Sequence, residues 1–104
     1  NIHRGMGNKE GEAAALGNLG NVYKLSGKLD KAIKNYEDAL KIYEGIGNKE
    51  GEATGLNNLG SVFETKGQKE KALKYYEDAL RLCTQIGAQR QIEIVKENIE
   101  RLKR

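Results

Sequence analysis

LGNLGNVY, residues 16–23, returns forty residues later as LNNLGSVF, residues 56–63. Wound as a helix, Leu16, Leu19, Gly20 and Tyr23 stand at i, i+3, i+4 and i+7 and share one face. Leu56, Leu59, Gly60 and Phe63 repeat the arrangement. A glycine inside a helix costs about 1 kcal/mol relative to alanine. One that recurs at the same place predicts a second helix passing so close that no side chain fits between.

Outward from these stretches the whole chain repeats. Residues 7–46 laid over 47–86 agree at 22 of 40 positions without a gap. Both units open with GNKEGEA and carry the run YEDAL at 36–40 and 76–80. Self-similarity at such a period indicates a solenoid, in which each unit buries its apolar face against its neighbours. Residues 1–6 (NIHRGM) align with 41–46 (KIYEGI), and predict the end of a truncated preceding repeat. Residues 87–104 align with the first half of a unit and predict a closing helix. The expectation is one all-α domain over 1–104, a stack of antiparallel helix hairpins with five helices and a short N-terminal remnant. It reads as a fragment of a longer array, or as the last two and a half units of one.

Within a unit, Asn8 and Asn48 are placed to cap the first helix, with acidic residues in the turns that follow. Gly27 and Gly47 supply left-handed residues that end helices near Leu25 and Ile46. The second helix carries a stripe of Ala32, Tyr36, Ala39 and Tyr43, widened by Ile33 and Leu40. Ala72, Tyr76, Ala79 and Cys83 repeat it, with Leu73 and Leu80. The closing segment keeps a stripe of Ile92, Val95, Ile99 and Leu102, backed by polar residues. Asp30–Lys34, Glu37–Lys41, Glu70–Lys74 and Glu77–Arg81 stand at i, i+4, as on a solvated face.

Composition narrows the function classes. The net charge of +3 comes from interleaved charges of both signs, which argues against nucleic acid or a membrane surface as partner. No apolar run approaches the roughly 18 residues of a membrane span, and the first residues show no signal-peptide pattern. With a lone Cys83 besides, a cytoplasmic setting is expected. His3 has no Cys or His at ligand spacing, so no metal is expected. Ser26 and Ser61 lack a histidine base, and SGKLD at 26–30 lacks phosphate-loop spacing. No cofactor and no catalysis are expected.

The residues resemble the tetratricopeptide repeat, whose pattern is W-x2-L-G-x2-Y, then A-x3-F, A and P. Leu16 and Leu56 take the Trp place. Leu19, Gly20 and Tyr23 match, as do Leu59, Gly60 and Phe63. Ala32, Tyr36 and Ala39, then Ala72, Tyr76 and Ala79, match the second helix. Glu44 and Thr84 stand where the pattern has proline, and about six further residues precede the next unit, which resembles the long-helix, forty-residue branch of the family. The resemblance implies a right-handed superhelix with a concave face that binds peptide segments of other proteins.

On the face of each first helix opposite the motif stripe stand Ala14, Gly17, Asn18, Asn21 and Leu25, then Thr54, Asn57, Asn58, Ser61 and Thr65. These are expected to line the inner curve. Asparagine and glycine are weak choices for an exposed helix, and local rules broken without a packing gain point to function. Asn18, Asn58 and Asn98 precede the motif leucine or its equivalent. A carboxamide can pair with both N–H and C=O of one extended residue, so these three read as a ladder gripping a peptide backbone. The alternative is that each bonds a neighbouring helix and sets the stacking angle. Ile94 is either a partner contact or a loosely packed residue of the closing helix. The leading function is a protein–protein interaction scaffold without catalysis. The alternative is self-assembly, a homo-oligomer formed by stacking exposed repeat ends such as Ile2 and Met6.

Overall fold

Five helices follow one another: α1 (Ile2–Leu25), α2 (Leu29–Ile46), α3 (Lys49–Thr65), α4 (Lys69–Ile86) and α5 (Gln89–Lys103). The structure, a computed structural model, describes residues 2–104, with side chains from Asn8 onward. Each helix packs on the next, and α3 also touches α5. The turns are short, so successive helices run antiparallel. Extents of 50 × 32 × 17 Å make a slab two helices thick, given helix diameters of about 10 Å. The result is an all-α solenoid of hairpins, with α1, α3 and α5 forming one layer and α2 and α4 the other.

Every turn is built alike. Gly27, Gly47, Gly67 and Gly87 hold φ of 78°, 73°, 85° and 71°, a region closed to most side chains. The residue after each glycine donates its N–H back into the preceding helix, as Lys28 does to Tyr23 O at 2.8 Å and Gln68 to Phe63 O at 2.9 Å. Asn48 caps α3, its Oδ1 accepting from Gly51 N at 2.8 Å. Asn8 does not do the same for α1. That helix runs on from Ile2, leaving Asn8 inside it. The side chains of residues 1–6, expected as the end of a preceding unit, lie outside the described residues, as do those of Ile2, His3 and Met6.

The paired glycines are where the hairpins close. A Cβ on Gly20 would lie 2.7 Å from Tyr36 Cε1, and one on Gly60 would lie 2.6 Å from Tyr76 Cδ1. The neighbour that takes the space is a tyrosine ring of the second helix. Each ring lies fully inside, flanked by buried Ala32 and Ala39 or Ala72 and Ala79. Lys31 sits over the Tyr23 ring at 5.5 Å and Lys71 over the Phe63 ring at 4.8 Å, so both hairpins carry the same cation–π contact.

Identical motif positions differ in burial between the units. Leu59 and Val62 are 1 % and 0 % exposed, while Leu19 and Val22 are 44 % and 55 % exposed. α3 packs on both α2 and α4, whereas the described packing of α1 is mainly on α2. The expected stripe of α5 holds: Val95 and Leu102 are buried, and Ile92 and Ile99 pack on the same cluster.

The ion pairs are not the four expected at i, i+4. Lys34 reaches Asp38 at 3.3 Å, Arg81 pairs with Asp78, and Asp30 instead accepts from Lys66 of the next hairpin at 2.9 Å. Exposed lysines and arginines have several carboxylates in reach, so spacing alone does not select among them.

A candidate peptide-binding groove between α1 and α3

A groove of about 180 Å³ runs between α1 and α3. Ala13, Ala14, Gly17, Asn18 and Asn21 wall it from α1, and Thr54, Gly55 and Asn58 from α3. Tyr36, Ala39 and Tyr43 of α2 form its floor. Six of the nine residues singled out from the sequence therefore meet in one place: Ala14, Gly17, Asn18, Asn21, Thr54 and Asn58. No described residue lining the groove is charged.

Its floor depends on two glycines that the sequence reading did not single out. The Tyr43 ring covers Gly51 where a Cβ would stand, and Leu40 Cδ1 lies 3.4 Å from the Cβ position of Gly55. Bare backbone at both sites lets α3 settle onto α2 and brings Tyr43 beneath the groove. At the next junction Cys83 stands in the place of Tyr43, and Gln91 in that of Gly51. That paired exchange, visible when the units are aligned, was the available signal.

The carboxamides divide into spent and unspent. Asn21 Oδ1 accepts from the Tyr36 hydroxyl, whose pKa burial pushes up. Asn18 and Asn58 make no side-chain hydrogen bond with any described residue, and both face the groove. Asn57 and Asn98 lie outside it and bond each other, Asn98 Nδ2 donating to Asn57 Oδ1 at 2.9 Å. For these two the structure shows the contact between neighbouring helices. Ser61 is also outside the groove. Its backbone carbonyl accepts from Thr65 Oγ1 at 3.1 Å.

Between α3 and α5 the layer is stitched together. Gln91 Nε2 donates to Thr54 Oγ1 at 2.7 Å. Arg101 donates to both oxygens of Glu64, at 2.9 and 2.7 Å, and to Asn98 Oδ1 at 3.0 Å. The Tyr76 hydroxyl donates to Glu64 Oε1 at 2.8 Å. A pocket of about 160 Å³ remains there among Ala53, Thr54, Asn57, Gln91, Ile94 and Val95. Ile94 is 48 % exposed at that pocket.

The Arg101 hydrogen bonds hold the Glu64 carboxyl below its ordinary value of 4.5, outweighing its partial burial. A carboxyl lowered in the folded state binds a proton more readily when unfolded, so its contribution is complete above the unfolded value. It is lost as pH falls through the folded value. The stability difference between the wild type and Glu64→Gln is therefore expected to be constant above about pH 5.5 and to shrink below pH 4.5. Urea titrations at stepped pH check this. With Arg101 about half exposed, the plateau is expected near 1 kcal/mol.

Cys83 is buried, and burial pushes its thiol pKa up, which disfavours the reactive thiolate. Among the described residues no group of three His, Cys, Asp or Glu side chains is placed to hold a metal ion. No helix among them is long and apolar enough to cross a membrane.

Stacked hairpins with close-packing glycines and a layer of first helices along one side define a helical-repeat module. Residues 11–85 match the tetratricopeptide repeat model, and the chain belongs to that family. Such repeats generally mediate protein–protein interaction and are typically non-catalytic scaffolds. The crystal structure of BtubC (BKLC) from P. vanneervenii is similar, with a TM-score of 0.76 and 31 % identity over 86 % of this chain. The match spans 37 % of that chain's length. No curated protein matches.

Proposed function

We propose that this domain is a non-catalytic module that holds a peptide segment of another protein in the groove between α1 and α3. The observation that carries the reading is the meeting of Asn18 and Asn58 there, forty residues apart in sequence, with their amides unspent. Each can both donate to and accept from an extended backbone, and the small Ala14 and Gly17 leave that backbone room. The test is selection of binders from a display library of random twelve-residue peptides, followed by titration against Asn18→Ala/Asn58→Ala. The loss of two paired amides, at about 1 kcal/mol net for each, predicts a weakening on the order of 10- to 30-fold. Unchanged affinity would remove the groove reading.

A second reading, self-assembly, is favoured by Leu19, Val22 and Leu25, exposed on α1 at 44 %, 55 % and 88 %. The matching Leu59 and Val62 of α3 are covered by a second helix. Stacking of a further copy on this face predicts a concentration-dependent rise in sedimentation coefficient that Val22→Glu abolishes. A monomer throughout the series defeats that reading.

A further inference from the structure

The two intervals of the first-helix layer are flanked by aligned positions of the repeat, and different side chains fill them. Between α3 and α5, Asn57 reaches Asn98 at 2.9 Å and Gln91 reaches Thr54 at 2.7 Å. Moved back one forty-residue unit, these pairs become Gly17 with Asn58 and Gly51 with Ala14. Both bridges have lost a carboxamide, and Val95 has become Gly55. Asn58 thus holds the position of Asn98 without the partner that Asn98 has. Around Gly17 the space is open, since a Cβ there would meet nothing within 4 Å. The vacancy at Gly17 serves no packing contact, unlike those at Gly20 and Gly60.

We infer that the α1–α3 groove takes an uncharged segment bearing a primary carboxamide, an asparagine or glutamine side chain, which pairs with Asn58 as Asn57 pairs with Asn98. The inference rests on the peptide-binding reading and names what the groove selects. A carboxamide can accept from the Asn58 amide as Asn57 Oδ1 accepts from Asn98 Nδ2, and its own N–H groups can meet the Asn58 oxygen, which has no counterpart of Arg101 beside it. A carboxylate offers no donor and would enter a groove with no cation among its described lining residues, where an unpaired charge is costly. The bidentate grip of Arg101 already occupies Glu64, the anionic residue one interval away. An aliphatic side chain would cover the Asn58 amide and leave it without a partner. Neutral lining and the chain's own second interval agree on the same occupant.

The experiment starts from the random twelve-residue library and uses the whole domain. Enriched peptides are expected to share an asparagine or glutamine. Its change to aspartate or leucine is expected to weaken binding at least tenfold. Gly17→Asn supplies the missing carboxamide from α1 itself and is expected to weaken the same peptides at least tenfold, with an undiminished thermal midpoint showing that the variant is folded. Gly11→Asn makes the same change on α1 outside the groove, also into open space, and is expected to leave binding unaltered. Binders lacking a carboxamide, or binders indifferent to Gly17→Asn, overturn this inference and leave the peptide-binding reading standing. A library that yields no binder overturns both.

Discussion

Gly60→Ala is expected to destabilise the domain by about 2 kcal/mol, while Gly17→Ala, in the interior of the corresponding helix of the other unit, stabilises it by up to about 1 kcal/mol. The chemical change is identical, and intrinsic propensity favours alanine at both sites. The difference lies in what the new methyl meets. At Gly60 it would stand 2.6 Å from Tyr76 Cδ1, a distance that forces the ring or the helix to move. The ring cannot swing aside, being 0 % exposed among Ala72, Ala79 and Phe63 and tied through its hydroxyl to Glu64. Overpacking of this kind costs about 1–3 kcal/mol beyond the propensity gain. At Gly17 the methyl meets nothing within 4 Å. Chemical denaturation of the two variants side by side reads the contrast. Equal effects at the two sites would show that the motif glycine does not set the hairpin spacing.

The second large effect is expected at the junction between units. Gly51→Gln should cost about 2 kcal/mol, because its side chain would have to displace the Tyr43 ring that covers Gly51. Tyr43→Cys alone should also cost about 2 kcal/mol, by emptying the space the ring fills. Together they recreate the combination of Cys83 and Gln91 that stands at the aligned positions of the next junction. The double variant is therefore expected to fall short of the summed costs by about 1–2 kcal/mol, a coupling typical of residues in direct contact. Strict additivity in the denaturation cycle would show that the two positions do not share one space.

Much of the fold was legible because it is local and repeated. The turn glycines were readable from the sequence since left-handed φ values are a property of single residues. Gly20 and Gly60 pointed to close approach because a helix tolerates such glycines only for a reason. The i, i+4 ion pairs were not legible, as exposed charges choose among several neighbours, and Lys66 found Asp30 in another hairpin. The cap at Asn8 failed where Asn48 succeeded, although both stand in GNKEGEA, because α1 continues through its motif and α3 begins at its own.

The candidate site was half legible for the same reason. An inner face of asparagines and small residues follows from helical periodicity, so Ala14, Gly17, Asn18, Asn21, Thr54 and Asn58 could be grouped in advance. Which asparagines would be spent could not. Asn58 and Asn98 occupy equivalent positions, yet Asn98 is engaged and Asn58 unspent, since the outcome depends on what the adjacent helix brings to the interval.

By itself the sequence determined a repeating hairpin, its turns, its buried tyrosine stripes and its family, all of which rest on the nearest few residues and on periodicity. Only the tertiary structure decided that side chains bond across the middle of the α3–α5 interval while Asn48 and Glu10 bridge the other interval at its edge, and that Leu59 is buried while Leu19 is exposed. Those outcomes arise where α1, α2 and α3, or α3, α4 and α5, meet. A side chain's partner there is set by the layer that covers it.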